Sequence, residues 1–293
     1  MTDGSIVSYR SALRRFNAFL DERDIHDVAS IDKNVIREYI RILREERKVS
    51  SSTLDNQLSC ISSFLDYLVY EEMIDVNIAL VVRKRYLRRY KSDGRGDAHT
   101  RKLITTPQLK LLVESILNPR DRALVLLLAK TGIRRNELIS IDIGDVDIAN
   151  LKIVLKPKAK RSNRVVFFDE ECAAALQEWL IVRERNARDD MKALFITTAG
   201  GGLDRNSVYR MVTEYAARVG LHDQKSKRLE DHFTPHCLRH WFTTCLRRNG
   251  MQREMIQELR GDVRRDAIDI YYHIDEEQLR KAYLEHIPRL GIY

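Results

Sequence analysis

The 293 residues predict a mainly α-helical fold carrying a small antiparallel β-hairpin, in two helical parts separated by a basic connector. Three observations predict it. Apolar residues recur at steps of three and four through most of the chain, the period of helices with one buried face. A single pair of short segments, Leu151 to Leu155 and Asn163 to Phe168, is instead dense in β-branched and aromatic residues on either side of a polar turn. Between Arg83 and Lys102 the apolar period fades. Nine lysines or arginines there face only Asp93 and Asp97, around a turn-rich KSDGRGD. The expected domains are therefore 1–82 and 103–293, with a linker at 83–102.

In the first domain, Ile6, Tyr9, Leu13, Phe16 and Leu20 mark one amphipathic helix. Asp32 can cap a second, carrying Val35, Tyr39, Ile40 and Leu43, and Ser51 or Ser52 a third, carrying Leu54, Leu58, Ile61, Leu65 and Leu68. A short fourth is expected around Val76 to Val82. In the second domain, Thr106 and Pro107 restart helical structure, and Asn118 with Pro119 opens a helix whose run from Ala123 to Ala129 should be wholly buried. The hairpin follows, its tip carrying Lys156, Lys158, Lys160 and Arg161. Then come a helix from Glu170 to Arg183, another capped by Asp204, one opened by Thr234 and Pro235, and a last one opened by the DEEQ sequence at Asp275.

Composition excludes several function classes. A content of 44% hydrophobic and 32% charged residues marks an ordinary folded protein, and the net charge of +8 favours polyanionic partners. No apolar stretch approaches the ~20 residues needed to span a bilayer, and MTDGSIVSYR lacks the apolar core of a signal peptide, so a cytoplasmic protein is expected. Cys60, Cys172, Cys237 and Cys245 form no CxxC pair and read as reduced packing residues. AGGGL at Ala199 to Leu203 lacks the frame of a phosphate-binding glycine loop, and no cofactor is implied.

The chemistry concentrates between His232 and Ile274. A helix opened by Thr234 and Pro235 places His236 and Arg239 three apart in its first turn, beside backbone N–H groups with no intrahelical partner, which is a phosphate-binding geometry. The bland alternative is a helix start with a surface arginine. A zinc site at His232, His236, Cys237 and His240 competes less well, because structural zinc ligands come as two separated pairs. Upstream, TGIRRNEL at Thr131 to Leu138 sets two arginines behind a turn-forming glycine; downstream, IDIYYHI sets two tyrosines beside a histidine.

In that order, TGIR, HCLR (His236 to Arg239), LRGD (Leu259 to Asp262) and Tyr271 with His273 resemble the ordered boxes of the tyrosine recombinase, or phage integrase, family, directly over Leu103 to His273. The resemblance implies that Arg134, Arg239 and His236 hold a phosphodiester, that Tyr271 is the nucleophile, and that a hairpin lysine is the general acid. The similarity of PKAKRSNRVV to the family's form points to Lys158, with Lys160 and Lys156 open. Arg135 is the alternative to Arg134, and Glu137 can support Arg134 from the same helix side. Asp262 departs from the pattern, since the family has a histidine there. A carboxylate against a phosphate would repel it, so Asp262 must be protonated, turn away, or accept hydrogen bonds from Arg239 or His236.

The resemblance implies site-specific cleavage and rejoining of double-stranded DNA through a covalent phosphotyrosine, with neither ATP nor metal. It also implies a helical N-terminal domain holding the DNA from the opposite side, and a homo-oligomer, tetrameric in synapsis, whose C-terminal segment docks on a neighbour. Two other readings share the residues. A type IB topoisomerase would relax any supercoiled DNA, and an inactive DNA-binding regulator, suggested by Asp262, would bind a site without forming an adduct.

Overall fold

A computed structural model describes residues 3–83, 102–156, 164–226, 228–262 and 274–293. The chain divides into two compact units, Met1–His99 and Thr100–Tyr293. The architecture is mainly α with one small antiparallel sheet.

Among its described residues the first unit is a bundle of four helices: α1 Asp3–Asp21, α2 Lys33–Arg41, α3 Ser51–Tyr70 and α4 at 78–83. Asp32 caps α2 by accepting from the N–H groups of Asn34 and Val35, and a single π-helical turn, Ile42–Glu46, prolongs it so that Leu43 stays in the core. The cap of α3 is Ser50, one residue before the expected serines; its hydroxyl accepts from Thr53 N–H. The buried face of α1 is Ala12, Phe16 and Phe19, while Ile6 is exposed. Phe16 and Phe19 pack against Tyr39 with ring centroids 5.1 and 4.9 Å away, and these aromatic contacts set the rotation of the helix. Asn77 starts α4 and ties it to α3: its amide nitrogen donates to Ser62 O and Asp66 Oδ1, and its oxygen accepts from Leu80 N–H.

In the second unit, α5 (Thr106–Glu114) opens on a reciprocal cap between Thr105 and Gln108. It leads to α6 (Pro119–Thr131), capped by Asn118 with Pro119 at the first position. Residues 123–129 of α6 are each at most 1% exposed, as their apolar run predicts, because α8 (Glu170–Asn186) and α10 (Pro235–Arg248) pack on it. The one-turn helix α7 (Arg135–Leu138), α9 (Arg205–Arg218), α11 (Arg253–Arg260) and α12 (Glu276–His286) complete the helical set among the described residues. The sheet runs β1 (Val146–Asp147), β2 (Lys152–Leu155), β3 (Arg164–Phe167), antiparallel throughout, with Ile153 opposite Val166. Strand β1 is too short to carry a pattern of its own and is held by pairing with β2.

Lys130, next to the apolar run, is as buried as the run itself. Its Nζ donates to Asp169 Oδ2 at 2.5 Å, Glu171 Oε2 at 2.8 Å and Pro288 O at 2.7 Å. Glu171 also accepts from the backbone N–H groups of Leu290, Gly291 and Ile292, and Tyr283 Oη donates to Lys130 O. The C-terminal segment is thus bonded to its own domain. A buried cation with matched acceptors supplies the reason.

Candidate active site

Gly132 ends α6 in the left-handed conformation (φ +61°), and the Phe242 ring lies where a Cβ would stand. Only glycine fits both demands. Its carbonyl is thereby turned outward and accepts a hydrogen bond from Arg239 Nη1. Ile133 is buried, so Arg134 leaves the turn from a fixed base and becomes the residue that opens α7.

Helix α10 begins where Thr234 and Pro235 predict, with Cys237 Sγ accepting from Thr234 N–H. Arg239 is 4% exposed and His236 exposed, so the HCLR box splits into a buried cation and an open imidazole. The His236 and His240 rings stack edge to face at 4.6 Å. Arg239 Nη2 donates to Arg260 O at 2.9 Å and Asp262 Oδ1 at 3.3 Å. Arg134 makes the matching pair, Nη1 to Arg260 O at 3.2 Å and Nη2 to Asp262 Oδ1 at 3.3 Å. The two arginines therefore share one carbonyl and one carboxylate oxygen. Asp262 Oδ2 lies 3.2 Å from Arg260 Nε.

Burial, and next the like charges of Arg134 and Arg260, lower the Arg239 pKa to about 9; Asp262 offsets part of this. The guanidinium remains a cation at neutral pH, in surroundings that a bound anion would relieve. A cavity of about 500 Å³ opens over it, lined by Arg134, Arg135, Thr234, His236 and Arg239 among others. Arg135 also lines the cavity, but it lies over the Tyr209 ring at 5.3 Å and donates to Arg205 O.

Glu137 does something the sequence did not reveal. It takes Arg134 N–H at 2.7 Å and stands 3.6 Å from Arg134 Nη1, while its two oxygens are forked by Arg164 at 2.9 and 3.0 Å. Arg164 and the Arg260 carbonyl were both missed. The only available signals were an arginine at the head of an apolar strand and the LRGD box itself. Of the hairpin lysines, Lys156 is engaged by Asp142 and Asp145. Lys158, Lys160 and Tyr271 lie outside the described residues. No cluster of three or more His, Cys, Asp or Glu placed to hold a metal, and no helix long and apolar enough to cross a membrane, occurs among the described residues.

The phage integrase family model matches residues 102–278, more than half of the chain, and the N-terminal SAM-like domain of phage integrases matches residues 1–72. The chain belongs to the phage integrase family. It is a tyrosine recombinase, an enzyme that cleaves and rejoins DNA at specific sites. The tyrosine recombinase XerC of Histophilus somni is 26% identical over 97% of this integrase and 91% of its own length. XerC of Herpetosiphon aurantiacus is 28% identical over 96% and 88%. The crystal structure of the XerH site-specific recombinase bound to palindromic difH substrate shares the fold, with a TM-score of 0.72 at 22% identity over 95% of this integrase and 78% of that chain.

Proposed function

We propose that this integrase grips one phosphodiester of double-stranded DNA between Arg134 and Arg239 and attacks it with Tyr271. The observation that carries the reading is the pair of guanidinium groups fastened to the same Arg260 carbonyl and Asp262 oxygen, under an open cavity. Braced cations of this kind stabilise the charge that grows on the non-bridging oxygens in the transition state, usually the largest catalytic contribution. His236, exposed at the cavity, supplies a hydrogen bond or moves a proton.

A tyrosine phenol has a pKa of about 10, so at pH 7 only ~0.1% is phenolate and activation costs about 4 kcal/mol. The arginine pair lowers that cost where Tyr271 approaches the phosphate. Attack forms a phosphotyrosyl bond and releases a 5′ oxygen, which a lysine protonates. Engagement of Lys156 by Asp142 and Asp145 leaves Lys158 and Lys160, and the resemblance of PKAKRSNRVV to the family's form favours Lys158. The aryl phosphoester stores the bond, so a 5′ hydroxyl can reverse the step without ATP, and the arginines stand where two-metal nucleases place cations. Asp262 belongs to this machinery as an acceptor that orients both arginines, which supports an active enzyme over an inactive regulator.

The N-terminal unit and the basic 83–102 linker add DNA contacts by neutralising phosphates, in a protein organised as 1–82, 83–102 and 103–293. The assembly is a homo-oligomer on DNA, a tetramer in synapsis. Docking the C-terminal segment on a neighbour would require exchanging its bonds to Lys130 and Glu171.

The deciding experiment traps a covalent complex on a suicide DNA substrate. Wild type and Tyr272→Phe should form the adduct and Tyr271→Phe should not, since only Tyr271 stands two residues before His273 as the family's box requires. An adduct in Tyr271→Phe removes the nucleophile assignment. Relaxation of plasmids that carry no recombination site would turn the reading to a topoisomerase.

A further inference from the structure

We propose that Arg164, at the head of β3, is a positioning residue that locks the two arginine-bearing segments of the phosphate site to each other. The inference rests on the reading that Arg134 and Arg239 hold the phosphate.

Arg164 makes two separate contacts. Its Nη1 and Nη2 fork onto Glu137 Oε1 and Oε2 at 2.9 and 3.0 Å, and Glu137 in turn fixes Arg134 through its backbone N–H. The same guanidinium covers Gly261, so closely that a Cβ at that position would collide with it. Gly261 caps α11 with φ +58° and delivers Arg260 O and Asp262, the two acceptors that hold Arg134 and Arg239. One side chain therefore touches the mount of the first arginine and the turn that supplies the acceptors for both. Its 8% exposure and forked geometry fix the distance between them. Arg164 itself is held by the sheet, opposite Leu155 on β2. A lysine keeps the charge but loses the planar fork, so this site separates charge from geometry.

The test compares Arg164→Lys, Glu137→Gln and the double variant with wild type, using single-turnover cleavage at saturating DNA together with DNA affinity and thermal melting. Arg164→Lys should cleave roughly 10- to 100-fold more slowly, the scale of a small misplacement of catalytic groups. Its DNA affinity should stay within about twofold of wild type, because no DNA contact is lost. The double variant should be no slower than the slower single, since both break one connection. A 5′ phosphorothiolate, whose sulfur leaves without a proton, should not restore the rate.

Wild-type cleavage by folded Arg164→Lys overturns the proposal, as do multiplicative effects in the double variant. Full rescue by the phosphorothiolate would show that Arg164 serves the hairpin lysine instead. Should Arg164→Lys fail to fold, Glu137→Gln decides alone, and wild-type cleavage by it removes the connection. Arg134→Ala separates the two levels. If it cleaves normally, the phosphate-site reading fails; if it is inactive while Arg164→Lys is normal, only the role of Arg164 fails.

Discussion

Two charged clusters lie in the catalytic unit of this integrase, and they are built on opposite principles. Around Lys130, one buried cation meets two carboxylates, and the excess negative charge on Glu171 is absorbed by the N–H groups of Leu290, Gly291 and Ile292. Around Arg239, among the described residues, the guanidinium groups of Arg134, Arg164, Arg239 and Arg260 pair with Asp262 and Glu137. The first cluster is complete in itself. The second, among the described residues, has four guanidinium groups against two carboxylates beneath an open cavity, and its most buried member is pushed down to about 9 by burial and by its own neighbours. A closed cluster of this kind holds the fold together, and an open one is held ready for an anion at the expense of stability.

If that contrast is right, Lys130→Met should be the most damaging change to stability. It leaves two buried carboxylates without their cation and releases Pro288, at a cost of about 3–5 kcal/mol. Thermal or urea unfolding measures it, and a loss below about 1 kcal/mol would erase the distinction between the clusters. Arg239→Lys should do the reverse. Cleavage should fall by roughly 10²–10³, the usual cost of one lost oxyanion donor, with a smaller change in melting temperature than Lys130→Met. A cleavage rate within tenfold of wild type would count against the open cluster as the phosphate site.

Asp262→Ala sharpens the comparison further. Removing the shared acceptor should slow cleavage by more than roughly tenfold while DNA affinity and its salt slope stay nearly unchanged, because no phosphate contact is lost. Wild-type activity in Asp262→Ala rejects the orienting role, and activity found only in Asp262→His would support the regulator reading.

The smallest expected effect is on acid stability. Burial works against ionisation of Glu137, but hydrogen bonds and charge from Arg164, and then Arg134, outweigh it and hold the carboxyl below its ordinary value. For a carboxylate depressed in the folded state, the stabilisation is complete above the ordinary value of about 4.3 and is lost as pH falls through the depressed one. Each unit of depression is worth about 1.4 kcal/mol. Melting temperatures between pH 6 and pH 3 should therefore fall less steeply for Glu137→Gln than for wild type, and parallel curves would deny the effect.

What could be read in the residues followed short-range rules. Asp32, Asn118, Asp204 and Asp275 cap the helices that their positions predict. The two β-branched segments pair as a hairpin, and the run at residues 123–129 is buried. The ordered boxes around Arg134, His236, Arg239 and Tyr271 make the family legible in the residues alone. Caps, turns and helical period depend on neighbours within a few residues, so they are written locally. Where the reading slipped on the buried face of α1, the choice among adjacent residues was made by packing against Tyr39 of α2, and at α3 the cap falls on Ser50, one residue earlier than expected.

The amino-acid sequence by itself determined which residue types would carry the chemistry and which elements would present them. Tertiary structure alone decided the partners. It sent Arg134 to Asp262 and Arg135 to Tyr209, although both leave the same turn. It gave Glu137 to Arg164, 27 residues on, and brought Asp262 to Arg134 across 128 residues. The physical reason is that a charged side chain pairs with whatever the fold brings within about 4 Å, and that distance follows from the packing of α6, α10, α11 and β3, not from spacing along the chain.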